Sequence, residues 1–75
     1  MNDFSHHFGL AVRRSREAMG WSQEQLAAQA DLNRSYVGEV ERGQVAVSLA
    51  TIGKLAQALQ VPQSALVLRG EEVHQ

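Results

Sequence analysis

The chain has 75 residues, a formal net charge of −1 at pH 7 and no cysteine. This length allows one small domain, and the absence of cysteine excludes disulfides and thiolate metal sites. Residues 1–70 hold seven Lys and Arg against six Asp and Glu, and Glu71 and Glu72 reverse the sign. The balance disfavours non-specific binding to polyanions but is compatible with a local basic surface. We expect no transmembrane or secretory segment, because the apolar stretches are too short.

The first two helices are predicted from apolar spacing and from end signals. Residues Phe4–Met19 carry apolar side chains at helical spacing, and Gly20 follows as a stop. Ser22, with Gln25 three residues later, forms a capping box that predicts the start of a second helix. This second helix is expected to end near Ala30.

A break of three residues separates the second helix from the third. Asn33 is a favoured N-cap for the third helix, which buries Val37 and Val40 and stops before Gly43. Three residues are too few for antiparallel packing and suit two helices that cross steeply. The sequence therefore predicts a helix-turn-helix over about residues 22–42, with its second helix available to the DNA major groove.

The last two helices are predicted from an N-cap and a proline. Ser48 caps a fourth helix that reaches Leu59, and Pro62 suits the first turn of a fifth helix through Leu68. Gly70 is expected to end the ordered domain. The fold class is therefore all-α with five helices in one domain. The expected domain covers residues 1–70, and the expected disordered tail covers residues 71–75.

The face of the third helix opposite its two valines is polar. It consists of Arg34, Ser35, Gly38, Glu39 and Arg42, which lie in one continuous stripe. The stripe offers hydrogen-bonding groups suited to base edges and a glycine that permits close approach.

Two segments together resemble a known family. They are SQEQLAAQADLNRSYVGEVERG, from Ser22 to Gly43, and VSLATIGKLAQAL, which begins at Val47. The combination resembles the Cro/phage-repressor (XRE-like) helix-turn-helix family over roughly residues 8–68. The Arg-Ser-Tyr that opens the third helix and the Glu-Arg-Gly that closes it are most similar to controller proteins of restriction–modification systems. The resemblance implies a lambda-repressor-like DNA-binding domain.

The resemblance also implies roles for individual residues. Arg34 and Ser35 take base-reading positions, and Glu39 either contacts a cytosine or repels phosphates and so narrows the tolerated sequences. Arg16 and Glu41 match an ion pair between the first and third helices. The residues implied to hold the DNA backbone are Gln23, Asn33, Arg42 and Tyr36, the last equally suited to packing.

Dimerisation is predicted from the second half of the chain. Between Gly43 and Leu68 most residues are apolar and Lys54 is the only charge. One short helix pair cannot bury all of that surface, so we expect a homodimer that places two recognition helices about 34 Å apart on a palindromic operator. The expected interface residues are Val61, Leu66, Val67 and Leu68.

Other classes of function have less support. The sequence has no glycine-rich phosphate loop and no nucleophile with a plausible base, so we expect no enzyme. The adjacent His6 and His7 lack the spacing of metal ligands, and we expect no metal, cofactor or small-molecule ligand. The predicted function is a cytoplasmic regulator that binds specific double-stranded DNA. An antitoxin-type or other protein-interaction module with the same fold is the alternative, and a DNA-binding assay distinguishes the two.

Overall fold

A computed structural model describes residues 3–72 of the chain, and within that range it forms five α-helices and no strand. The helices are α1 Asp3–Ala18, α2 Gln23–Ala30, α3 Arg34–Glu41, α4 Leu49–Leu59 and α5 Gln63–Glu72. The five-helix, all-α prediction is confirmed. None of these helices combines the length and the apolar character that a membrane span requires.

The helix starts follow from local hydrogen bonds. The Gln25 backbone N–H donates to Ser22 Oγ at 3.1 Å, and the Ser22 N–H donates to Gln25 Oε1 at 2.8 Å, so the predicted capping box is present. Asn33 Oδ1 accepts from the Ser35 N–H at 2.8 Å at the start of α3. Ser48 caps α4 in a similar way. These caps fix where three of the helices begin.

The turn between α2 and α3 contains a left-handed residue. Asp31 has a φ of 56°, a conformation that Asp adopts more readily than most residues other than glycine. The following Leu32 N–H donates to Ala27 O at 2.8 Å and closes the end of α2. The chain can therefore change direction sharply within three residues and begin α3 at once.

The core lies where α1 meets α3 and α5 and where α2 meets α3 and α4. Its largest fully buried side chains are Phe8, Val12, Leu26, Val37, Val40, Leu55 and Leu66. The α1–α3 contact is close because of Gly9, where an added Cβ would overlap the backbone carbonyl of Val40. Helix α3 is thus fixed directly against the backbone of α1.

Two expectations for the end of the chain need correction. Leu66 is only 1% exposed and belongs to the core, because this position of α5 faces α1 and α4. Helix α5 continues past Leu68 and Gly70 to Glu72. A single glycine costs a helix about 1 kcal/mol relative to Ala and need not end it. The remainder of the expected tail, residues 73–75, lies outside the described part of the chain.

Candidate nucleic-acid interface

The two faces of α3 differ in exposure. Val37 and Val40 are fully buried, whereas Arg34 and Ser35 in the first turn are exposed. Glu39, one turn further along, is half-buried on the same stripe. The structure therefore brings the three residues expected to read bases onto one side of α3.

Gly38, the glycine of the stripe that permits close approach, is covered by two side chains. It is buried, and an added Cβ would lie 3.0 Å from Arg42 Nη1 and 3.5 Å from Gln23 Oε1. The side chain of Gln23 reaches this point from the first turn of α2. Two of the residues expected to hold the DNA backbone thus both lie over the middle of α3.

A buried ion pair ties the end of α3 to α1. Arg16 Nε lies 2.7 Å from Glu41 Oε2, and Arg16 Nη2 donates to Glu41 Oε1 at 3.0 Å. The side chains are only 12% and 2% exposed. The bidentate geometry matches a planar guanidinium to a carboxylate. The expected pair between the first and third helices is therefore present.

Two further bonds extend this ion pair into a network. Arg16 Nη1 donates to the backbone oxygen of Trp21 at 2.8 Å, and Gln23 Nε2 donates to Glu41 Oε1 at 3.0 Å. The hydrogen bond to Glu41 is the main cause that raises the pKa of Arg16 above its ordinary value. The guanidinium therefore stays charged, and it joins α1, the α1–α2 turn and α3.

The remaining residues expected to hold the DNA backbone are in different environments. Arg42 is exposed and donates from Nε to Gln44 Oε1 at 3.2 Å. The side-chain oxygen of Asn33 is used as the N-cap of α3, and its amide nitrogen is not used by that cap. Tyr36 is half-buried and packs against the core, so the packing alternative accounts for its ring.

The bonds of Gln44 to Arg42 and of Gln23 to Glu41 were not anticipated. Gln44 lies two residues from Arg42 in a loop, where no periodic pattern marks a partner. Gln23 and Glu41 are 18 residues apart, and only the packing of α2 on α3 brings them together.

The adjacent histidines, His6 and His7, form a ring contact with centroids 5.2 Å apart. Within residues 3–72, no three potential metal ligands converge.

Helices α2 and α3 are joined by a three-residue turn, and α2 begins at a capping box. Helix α3 has an exposed polar face opposite a buried apolar face. This arrangement defines a helix-turn-helix. Residues 12–62 match the family described as helix-turn-helix. The chain belongs to the Cro/phage-repressor (XRE-like) helix-turn-helix family, a family of DNA-binding transcription regulators rather than enzymes.

Individual relatives agree with this membership. The chain is 39% identical over 67 residues to the control protein C.MunI of a Mycoplasma species, matching 88% of this chain and 90% of C.MunI. It is 44% identical over 61 residues to a hypothetical transcription factor of Neisseria meningitidis, matching 81% of this chain and 58% of that protein. The chain thus corresponds to little more than half of the Neisseria relative.

A solved structure of a similar protein has the same fold. The restriction–modification controller protein C.AhdI from Aeromonas hydrophila superimposes with a TM-score of 0.80 at 52% sequence identity. The match covers 81% of this chain and 92% of that chain. Similarity to controller proteins, first inferred from the Arg-Ser-Tyr and Glu-Arg-Gly segments, is confirmed.

Proposed function

We propose that the protein is a cytoplasmic transcription regulator that binds a palindromic double-stranded DNA operator as a homodimer through the major groove. The observation that carries the proposal is the exposed polar face of α3 above its buried apolar face. This arrangement offers side chains to base edges while the core holds the helix in place. Relatives named as control proteins and transcription factors support the same role.

Arg34 is the principal base reader in this proposal. It is exposed in the first turn of α3, and its guanidinium can donate two hydrogen bonds to O6 and N7 of a guanine. Ser35 contacts a neighbouring base, and Glu39 either accepts from a cytosine amino group or excludes other sequences. Together these residues give each half of the operator its sequence preference.

Contacts to DNA phosphates fix the position of α3 in the groove. Gln23 and Arg42 lie next to one another above α3, and Asn33 lies at its start. Arg42 supplies positive charge, whereas Gln23 and Asn33 supply neutral donors. Tyr36 can add a contact through its hydroxyl while its ring remains packed.

The homodimer forms through α5 and the end of α4. Leu68 is 56% exposed, a large value for leucine, and Val61 and Val67 are only partly covered by the core. An exposed leucine and two partly covered valines in one short segment are typical of a surface that a second subunit buries. Leu66 is left out of this interface because it is already buried.

Selection from a library of random double-stranded DNA tests the proposal. The full chain is expected to enrich a palindrome whose half-sites are about one helical turn apart. A gel shift with the DNA upstream of the protein's own gene then checks the selected sequence, with a scrambled duplex as control. Failure to enrich any sequence would contradict the proposal and favour a protein-interaction module.

A further inference from the structure

Gly38 occupies the middle of a helix without a backbone conformation that requires glycine, because its φ is not positive. Glycine in a helix interior costs about 0.5–1 kcal/mol relative to Ala. The space above its Cα is filled by the ends of two side chains, Gln23 from α2 and Arg42 from the end of α3. The absent side chain therefore makes room for these two polar groups.

The side chains of Gln23 and Arg42 are each held by a further hydrogen bond. Gln23 Nε2 donates one hydrogen to Glu41 Oε1, and Glu41 is fixed in turn by Arg16. Arg42 Nε donates to Gln44 Oε1, and this bond fixes the Nε end of the guanidinium. The terminal Nη1 lies over Gly38. Each side chain keeps donors in excess of these contacts: the second hydrogen of the Gln23 amide and the terminal groups of the Arg42 fork.

We propose that Gly38 is a positioning residue for DNA binding, because its missing side chain lets Gln23 and Arg42 close over α3 and hold one DNA phosphate jointly. A phosphate has several acceptor oxygens and can receive the amide and the guanidinium at once. Glu41 and Gln44 orient the two donors in advance, which reduces the ordering that binding requires. This inference rests on the proposed function as a DNA-binding protein.

The variant Gly38→Ala separates positioning from folding. The new Cβ would displace Arg42 Nη1, the end of a flexible side chain, so the fold should tolerate it. Since Ala favours the helix, the melting temperature is expected to stay the same or to rise by up to about 4 °C. Affinity for the DNA selected by the wild-type chain is expected to fall about tenfold, since a charge-assisted contact is disturbed.

The loss should have the signature of a phosphate contact. It is expected to be uniform across operator variants, and the log–log salt dependence should become shallower by about one phosphate per subunit. The matched control is Gly53→Ala, also at a helical glycine, where the added Cβ would lie 3.3 Å from Gln63 Nε2. This control should leave DNA affinity and salt dependence unchanged.

A double variant identifies the group through which Gly38 acts. In an Arg42→Ala background, adding Gly38→Ala is expected to cause little further loss of affinity, because its main target is already absent. A full additional tenfold loss would overturn the proposal, as would a sharp fall in melting temperature or unchanged binding by Gly38→Ala. If the wild-type chain itself selects no DNA, the proposed function fails first and the role of Gly38 fails with it.

Discussion

The α2–α3 region and the α4–α5 region are held in place by different forces. In the first region, the carboxylate of Glu41 is bonded to Arg16 and Gln23, and Arg16 also holds the backbone oxygen of Trp21. In the second, the contacts are almost entirely apolar, and Lys54 is the only charge between residues 43 and 68. Polar bonds fix the helices proposed to contact DNA, and apolar contacts fix those proposed to form the dimer.

The difference fits the role proposed for each surface. Hydrogen bonds and bidentate ion pairs depend on distance and angle, so they fix the orientation of α2 relative to α3. Apolar burial is non-directional and scales with area. A base-reading helix needs a defined orientation, whereas a subunit interface needs uncovered apolar area. Changes to the two regions should therefore differ in what they destroy.

The largest effect is expected from breaking the polar network with Arg16→Met. Removing the guanidinium leaves the carboxylate of Glu41 buried without its charged partner, which typically costs about 3–5 kcal/mol. That is a large part of the stability of a small domain. Thermal unfolding measures the loss.

The control for this variant is Arg13→Met in the same helix. Arg13 pairs with Glu17 at 3.2 Å, but both side chains are about half exposed. Exposed pairs of this kind contribute about 0.3–0.5 kcal/mol, so melting should hardly change. Equal shifts in the two variants would mean that the Arg16 pair is no stronger than a surface pair.

The apolar region is tested by Leu68→Ala. In the proposed dimer, each of two leucines loses the burial of the exposed half of its surface, which predicts about 2–3 kcal/mol per dimer. Sedimentation equilibrium measures the dissociation constant. The half of Leu68 that is already covered in the monomer predicts a smaller loss, about 1 kcal/mol, in monomer stability.

Leu49→Ala distinguishes the proposed interface from exposed leucines in general. Leu49 is 80% exposed at the start of α4 and lies outside the predicted interface. Its removal should leave dimerisation as in the wild type. A monomeric wild-type chain at tens of micromolar, or a larger effect at Leu49 than at Leu68, would move the interface away from α5.

Arg34→Ala is expected to cost about 1–3 kcal/mol in specific binding and to relax the preference at one base pair in each half-site. Folding should be unaffected, because Arg34 is exposed. Binding to a library of operator variants provides the measurement. Arg42→Ala serves as the comparison and should weaken all sequences about equally. A uniform loss on removing Arg34, with the base profile unchanged, would assign this side chain to the phosphates instead.

The smallest effect concerns salt. The helix-turn-helix segment, residues 22–43, contains only two basic residues, Arg34 and Arg42. Many of the proposed contacts to the DNA backbone therefore come from neutral donors such as Gln23. We expect about two to four neutralised phosphates per subunit and a log–log slope for the dimer no steeper than about −8. Titration of the wild-type complex with KCl gives the slope. A steeper dependence would require basic residues beyond Arg34 and Arg42 in the interface.

Features that depend on a few neighbouring residues could be predicted from the sequence. The Ser22–Gln25 capping box and the Asn33 cap are completed within three residues. The Arg16–Glu41 pair is a long-range contact, and only the family resemblance indicated it. Local chemistry therefore defines where these helices begin, while family similarity supplied one tertiary contact.

Features that depend on how helices pack were missed. Leu66 was assigned to the interface from the number of apolar residues in the second half of the chain. That number does not show which face of α5 packs against α1 and α4, and Leu66 lies on the packed face. Gly38 was expected only to permit close approach, and its covering by Gln23 from another helix and by Arg42 from one turn away was not foreseen. Arrangements of this kind follow from tertiary contacts rather than from periodicity.

The close contact between Gly9 of α1 and the backbone of α3 has a consequence for how such proteins acquire new target sequences. Since α3 is anchored by its backbone, by buried valines and by Glu41, its exposed first turn carries little of the folding stability. Substitutions at exposed positions usually change stability by less than about 0.5 kcal/mol. Arg34 and Ser35, the proposed base readers, can therefore vary during evolution or design while the scaffold persists, so that under this proposal one framework can serve many operators.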